Sequence, residues 1–131
     1  MPNHAESFYE IKKWDETTYD EGEEGKALVQ CNIRQVYHGD IEGESLNTML
    51  MAPAANGSST YVGLERITGK LAGKTGSFII QYQGTYVEDR PSFSGVIVAE
   101  SGTGELRGLK GTASMAPKDG QPGVSLEYDF E

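Results

Sequence analysis

Cysteine and histidine are nearly absent from this chain of 131 residues, which contains one cysteine and two histidines. A single cysteine cannot form an internal disulfide. A zinc site needs several His, Cys or carboxylate ligands, whereas Cys31 and His38 are an odd number of positions apart and would face opposite sides of a strand. We therefore expect no metal and no cofactor. We expect Cys31 to be a buried structural thiol on the face that also carries Val29 and Ile33.

Basic residues are the second scarce class. The chain has 11 lysines and arginines against 20 aspartates and glutamates, which gives a formal net charge of −9. Binding of nucleic acid depends on basic side chains that neutralise phosphates, and anionic membrane surfaces attract the same side chains. The composition therefore predicts neither a nucleic-acid partner nor membrane binding, and it favours solubility.

Long apolar runs are also missing. No segment approaches the roughly 20 apolar residues that a membrane-spanning helix needs. The opening segment, MPNHAESFYE, lacks the positively charged start and apolar run of a secretory signal. Together with the single cysteine, these features predict a cytoplasmic protein.

Strand patterns, in contrast, are abundant. The segment 123–131 alternates apolar and polar residues, which is typical of a strand with one buried face. Further segments are rich in β-branched and aromatic residues: 7–14, 27–37, 45–52, 59–69, 76–86, 92–100 and, more weakly, 105–115. Short connections separate them, and no window has a helical period. The pattern predicts an all-β protein, one domain over residues 1–131, folded as a closed eight-stranded antiparallel up-and-down β-barrel.

Two connections share the pattern G-x-L-x-G-x-x-G, at 69–76 and 104–111. We interpret each as a turn in which glycines adopt positive φ and a leucine packs onto the barrel end. Their spacing corresponds to a pair of strands with their turns, which predicts that both lie at the same end. A nucleotide loop is not favoured, because no third glycine at the dinucleotide spacing and no following helix accompany Gly102 and Gly104.

A charged pair interrupts the fourth predicted strand. In YVGLERITG, residues 61–69, Glu65 and Arg66 are neighbours and must face opposite sides. An odd-numbered connection after this strand would place Glu65 opposite Gln81. One face would then carry all the candidate ligand-binding residues: Tyr61, Glu65, Gln81 and Gln83.

Two interpretations of that face stay open. In the first it is solvated, because charged side chains are seldom buried without a partner, and Val62 and Leu64 point into the core. In the second it lines the barrel interior, which in a closed barrel of about eight strands can hold one small ligand. Burial would then raise the pKa of Glu65, and Glu65 is the one weak candidate for a catalytic acid or base.

Predicted strands three to five carry apolar residues on both faces, unlike the last strand. Such strands need a cover on each side, and the barrel core supplies only one. Since large exposed apolar patches mark interfaces, we expect a homodimer formed through strands three to five.

Several motifs together resemble the DUF3224 family, a bacterial family of unknown function. They are F/Y-E-I/V-K-x-W-D-E at 8–16, Y-x-G-D-I-E-G-E at 37–44, Y-V-G-L-E-R-I-T-G at 61–69, G-S-F-I-I-Q at 76–81, S-G-T-G-E-L-R-G-L-K-G at 101–111 and L-E-Y-D-F-E at 126–131. The resemblance implies a barrel similar to that of allene oxide cyclase and implies no activity. The Gly-Thr-Gly turn also resembles that of dirigent proteins and allene oxide cyclases, which bind hydrophobic molecules and steer a cyclisation or coupling.

Three functions stay open at this point. The first is non-catalytic binding of a small, partly apolar ligand, with the four candidate residues as polar anchors among apolar walls. The second is an isomerase or cyclase in which Glu65 acts as acid or base. The third is a structural or interaction module with a packed interior. An open interior favours the first two, and a raised pKa of Glu65 beside a second polar group favours the second. Trp14 is expected to plug the barrel end or to line a pocket mouth.

Overall fold

The computed structural model describes residues 3–131, which form eight β-strands and one short 3₁₀ turn at Gly104–Leu106. The strands are β1 (Asn3–Asp20), β2 (Leu28–Gly39), β3 (Ile41–Pro53), β4 (Ser59–Leu71), β5 (Lys74–Val87), β6 (Arg90–Ile97), β7 (Leu109–Met115) and β8 (Gly123–Phe130). The all-β class is confirmed, and each predicted segment overlaps one observed strand. Among residues 3–131, no helix is long and apolar enough to cross a membrane.

The strands pair antiparallel in chain order. Each strand is hydrogen-bonded to its neighbours in sequence, and β1 also pairs with β8, so the eight strands form a closed ring. The predicted up-and-down arrangement is confirmed at this level. The ring has an inner and an outer face, and strand alternation decides which side chains lie on each.

Inward-facing residues build the core. In β2 every second residue is buried, from Val29 through Tyr37. Cys31 is fully buried in this row between Val29 and Ile33, so the predicted position of the thiol is confirmed. The same row contains a polar residue, Gln35, which is also buried.

Apolar side chains fill one end of the ring, which we call the closed end. Ile41, Leu71 and Leu106 pack there, each no more than 1% exposed. Leu71 and Leu106 are the leucines of the two G-x-L-x-G-x-x-G connections, and both connections lie at this end, as predicted. Gly76 allows the segment 98–108 to cross β5 closely, since a Cβ at Gly76 would meet the Thr103 carbonyl oxygen at 2.0 Å.

The opposite end, which we call the open end, carries the connections 21–27, 54–58, 88–89 and 116–122. The 116–122 connection bends back over β1, where the backbone N–H of Tyr9 donates to the carbonyl of Pro122 at 3.1 Å. These connections surround an opening into the ring.

The closed end predicts a large asymmetry between two leucine truncations. Leu106→Ala should lower the free energy of unfolding by about 2–5 kcal/mol, because it leaves a cavity in a packed core. Leu46→Ala, at an outer position that is 54% exposed, should change it by no more than about 0.5 kcal/mol. Urea unfolding of the two variants checks this, and equal losses would show that Leu106 does not seal the ring.

Candidate functional site

The turn between β4 and β5 determines which residues of the two strands share a face. It contains an even number of residues, Ala72 and Gly73, so Glu65 pairs with Ile80 and Leu64 pairs with Gln81. The expected pairing of Glu65 with Gln81 is therefore wrong. Glu65 shares the inner face with Ile80 and is only 5% exposed.

The structure divides the four predicted ligand-binding residues. Tyr61 and Glu65 lie inside the ring, whereas Gln81 and Gln83 are exposed on its outer face. The expectation that all four share one face is thus corrected by the register of the hairpin. For the position of Glu65, the buried interpretation holds, and Val62 and Leu64 are exposed instead of buried.

A cavity of about 680 Å³ opens from Glu65 toward the open end. All eight strands contribute to its wall, and residues of the 88–89 and 116–122 connections surround its mouth. The wall is mainly apolar and aromatic: five of the seven tyrosines line it, together with Trp14 and Phe93. The packed apolar core of the closed end lies beyond Glu65.

A β-bulge in β1 brings one aliphatic and one aromatic side chain to the same wall of the cavity. Ile11 pairs with Gln35 and Trp14 pairs with Ile33, while the pairing shifts by one residue between Ile11 and Lys13. Strict alternation would put Ile11 and Trp14 on opposite faces, and the extra residue restores them to one face. Both line the cavity, and Trp14, which is 41% exposed, lies at the mouth, in line with one of the two expectations for it.

Small residues make room for the tyrosine rings. A Cβ at Gly63 would meet the Tyr82 hydroxyl oxygen at 2.4 Å, and a Cβ at Gly84 would meet the Tyr61 hydroxyl oxygen at 2.7 Å. Both glycines face the interior in the strands that carry or flank these tyrosines. The rings of Tyr61 and Tyr82 consequently stand edge-to-face, with centroids 6.3 Å apart.

Glu65 is held by two hydroxyl groups. The Tyr37 hydroxyl donates to its Oε2 at 2.7 Å, and the Ser45 hydroxyl donates to the same oxygen at 2.6 Å. No described residue donates a hydrogen bond to Oε1. Among the described residues, no side-chain nitrogen or oxygen is both sealed from solvent and without a hydrogen bond, so Oε1 contacts the open space of the cavity.

A second polar chain runs beside Glu65. The Tyr82 hydroxyl donates to Asn47 Oδ1 at 2.6 Å, and Asn47 Nδ2 donates to Gln35 Oε1 at 3.0 Å. Asn47 is the direct cross-strand neighbour of Glu65. These bonds fix two amide groups in the wall and leave the Nε2 of Gln35 as a donor without a partner among the described residues.

Burial dominates the proton affinities in the cavity. It raises the pKa of Glu65, although the hydrogen bonds from Ser45 and Tyr37 oppose that shift. Burial and the charge of Glu65 raise the pKa of Tyr9 to about 12. Burial also raises the pKa of Tyr37 and Tyr82, with the nearby Glu65 adding to the shift. The tyrosines are therefore neutral hydroxyl groups at physiological pH.

The sequence analysis did not identify the polar residues around Glu65. Tyr37, Ser45, Gln35 and Asn47 were not among the candidate residues. One signal was available: Gln35 continues the apolar alternation of β2, so its amide occupies a core position. Ser45 carried no such signal, because only the cross-strand register places it near Glu65.

Comparison with known proteins gives a family and a fold. A family model described as "Protein of unknown function (DUF3224)" matches residues 5–130. A crystal structure of a protein of unknown function from the DUF3224 family of Shewanella oneidensis MR-1 is similar over 100% of this chain and 98% of that chain, with 30% identity and a TM-score of 0.89. No curated protein matches the chain.

The raised pKa of Glu65 predicts a pH dependence of stability. The folded state holds the proton of Glu65 more tightly than the unfolded chain does. The protonated Glu65 therefore contributes fully to the free energy of unfolding below its ordinary pKa of 4.5, and this contribution is lost as pH rises through the pKa of the folded state. Glu65→Gln cannot ionise and should not lose this contribution. The free energy of unfolding of the variant minus that of wild type should therefore grow above pH 4.5 and then level off. Glu42→Gln, on the exposed outer face, is the control. Urea unfolding across pH measures both, and parallel wild-type and Glu65→Gln curves would contradict the burial of an ionisable group.

Proposed function

The chain belongs to the DUF3224 family, which carries no assigned function, and from the geometry of its interior we propose that it binds a small, partly apolar ligand inside the ring. One observation carries this proposal: a buried carboxylate with an unpartnered oxygen lies at the bottom of an apolar cavity. A few fixed polar groups in an apolar wall are typical of small-molecule sites.

The size of the cavity supports the same function. Its volume of about 680 Å³ falls within the range of about 300–1,000 Å³ for sites that enclose a small molecule. A module with a packed interior, the third alternative, has no need of such a space. Protein interiors pack densely, with few voids larger than a water molecule, so an open volume of this size argues for an occupant.

A second candidate function, an isomerase or cyclase, is favoured by the raised pKa of Glu65. A carboxyl group with a raised pKa can exchange a proton with a ligand near neutral pH. Together with this second function, we propose that the ring has a fold of the allene oxide cyclase type. That likeness supports cyclisation chemistry only by analogy of fold, so binding stands as the first proposal.

We propose a cytoplasmic location. The support is compositional: the one cysteine, Cys31, is a free thiol buried in the core. Secreted domains of modest size often rely on disulfides, which reducing compartments disfavour.

The binding proposal predicts that a neutral apolar fluorescent probe, N-phenyl-1-naphthylamine, binds inside the ring. Met51 lines the cavity on β3, whereas its neighbour Ala52 is exposed on the outer face. Met51→Trp should therefore weaken probe binding by about tenfold or more, equivalent to at least about 1.4 kcal/mol. Ala52→Trp should leave it unchanged.

Fluorescence titration of wild type and both variants measures these affinities, with circular dichroism to show that each variant folds. Equal weakening by both tryptophans, or binding that neither affects, would place the probe outside the cavity and contradict the proposal.

We also infer that the chain forms a homodimer through the predicted surface of β3 to β5 and the adjoining β6. Its outer apolar patch is defined as Leu50, Val62, Leu64 and Val96. These residues of β3, β4 and β6 are between 40% and 55% exposed. Their outer-face neighbours Gln81 and Gln83 are uncharged. In a chain with a net charge of −9, like-charge repulsion opposes association elsewhere, so a second copy meets the least repulsion at this patch.

Leu64→Lys should convert the dimer to a monomer, because a buried unpaired charge at the interface is costly. Thr18→Lys, at an exposed position of β1 outside the patch, adds the same charge as a control. Sedimentation equilibrium at micromolar concentration provides the masses. A monomeric wild type would refute the dimer.

A further inference from the structure

We propose that the ligand of this cavity is a cation: an apolar amine whose ammonium group donates a hydrogen bond to Oε1 of Glu65. This inference rests on the proposed function and deepens it by naming the class of ligand. Its starting point is a buried carboxyl group that no basic group of the described chain balances. Burial raises the pKa of Glu65, and a bound ammonium group would favour its ionised form.

The Glu65 carboxylate has hydrogen bonds on one side only. Tyr37 and Ser45 both donate to Oε2, and such donation stabilises the ionised form. Oε1 accepts no hydrogen bond from a described residue and contacts the cavity. The side chain as a whole is nonetheless 95% buried, since only 5% of it is exposed. A ligand therefore meets an acceptor that is fixed in position and has a free lone pair.

No basic group of the described chain lies close enough to balance this charge. Of the described residues that line the cavity, Arg90 is the only basic one. Arg90 pairs with Val87, whereas Glu65 pairs with Ile80, seven residues away along β5. At the rise of a strand this separation is roughly 20 Å. Arg90 is thus at the mouth, and the countercharge for Glu65 has to come from the ligand.

Both histidines are also excluded as counter-ions. His4 bonds to Glu6 and Glu127 on the exposed surface, and His38 bonds to Glu10 there. Neither lines the cavity. An anionic ligand would meet a buried negative charge with no cation beside it, which costs several kcal/mol in a poorly hydrated site.

The aromatic wall favours the same class of ligand. Tyr9, Tyr37 and Tyr82 line the same cavity as Glu65, and the Tyr37 hydroxyl contacts it directly. Electron-rich rings attract ammonium and quaternary ammonium groups, and cages of aromatic side chains bind such cations. Beside Glu65 and toward the open end the wall also carries apolar side chains, among them Ile33, Met49 and Ile80. The expected ligand accordingly has one cationic end and an apolar body.

A matched series of three ligands tests the proposal: n-octylamine, 1-octanol and octanoate, which differ in charge and share the same chain. Isothermal titration calorimetry at pH 7.5 and physiological salt measures the affinities. Wild type should bind octylammonium roughly ten- to a hundredfold more tightly than octanol, the range for a hydrogen bond to a charged partner. Octanoate should bind more weakly than octanol.

Glu65→Gln should reduce the preference for octylammonium over octanol to about threefold or less, because the amide has no charge and keeps nearly the same shape. Glu42→Gln removes one negative charge from the exposed outer face and should leave the preference intact. This control separates the local effect of Glu65 from the attraction of any cation to an acidic protein.

The outcomes are distinguishable. If octanol binds wild type as tightly as octylammonium, or if octanoate binds best, the cation proposal is overturned while cavity binding stands. If Glu42→Gln and Glu65→Gln reduce the preference equally, the effect is one of net charge and the proposal also fails. If no member of the series and no neutral probe binds wild type, the proposed function fails, and this inference fails with it. The wild-type series alone decides the question should Glu65→Gln not fold.

Discussion

One carboxyl group that is buried without a cation determines the character of this interior. Moving a charge from water into a protein is costly unless it is paired or hydrogen-bonded. Within the chain, only one oxygen of Glu65 accepts hydrogen bonds, from the hydroxyl groups of Tyr37 and Ser45. The other oxygen contacts the cavity. The raised pKa, the neutral tyrosines and the expected ligand all follow from this arrangement.

The ring makes the arrangement possible by supplying rigid walls and one packed end. Glu65, Ser45 and Tyr37 come from three adjacent strands, so the hydrogen-bond ladder fixes their mutual positions. Leu71 and Leu106 are packed at the closed end, and glycines such as Gly63 leave space for the tyrosine rings of the cavity. The packed core thus lies at one end of the ring, and the cavity opens at the other. Placing the polar groups on strands, and not on loops, holds them in a defined geometry.

The sequence was sufficient for the fold and insufficient for the site. Alternation in β2 and β8 and the repeated glycine pattern predicted strands, their order and the buried thiol at Cys31. The residues of β5 that share a face with Glu65 could not be predicted, because they depend on whether the turn between the two strands has an even or an odd number of residues. A one-residue difference there moves Gln81 from the inner face to the outer one. The bulge in β1 could not be predicted either, because nothing in the sequence around Lys12 marks it as the extra residue.

The most direct test of this account is a crystal structure of the protein with n-octylamine, at a resolution that separates the two carboxylate oxygens of Glu65. The ammonium nitrogen should lie at about 2.7–2.9 Å from Oε1 of Glu65. Tyr37 and Ser45 should still donate to Oε2, and the alkyl chain should be directed toward the open end. An amine bound only on the outer face, or an Oε1 already occupied by a donor from the protein, would contradict it.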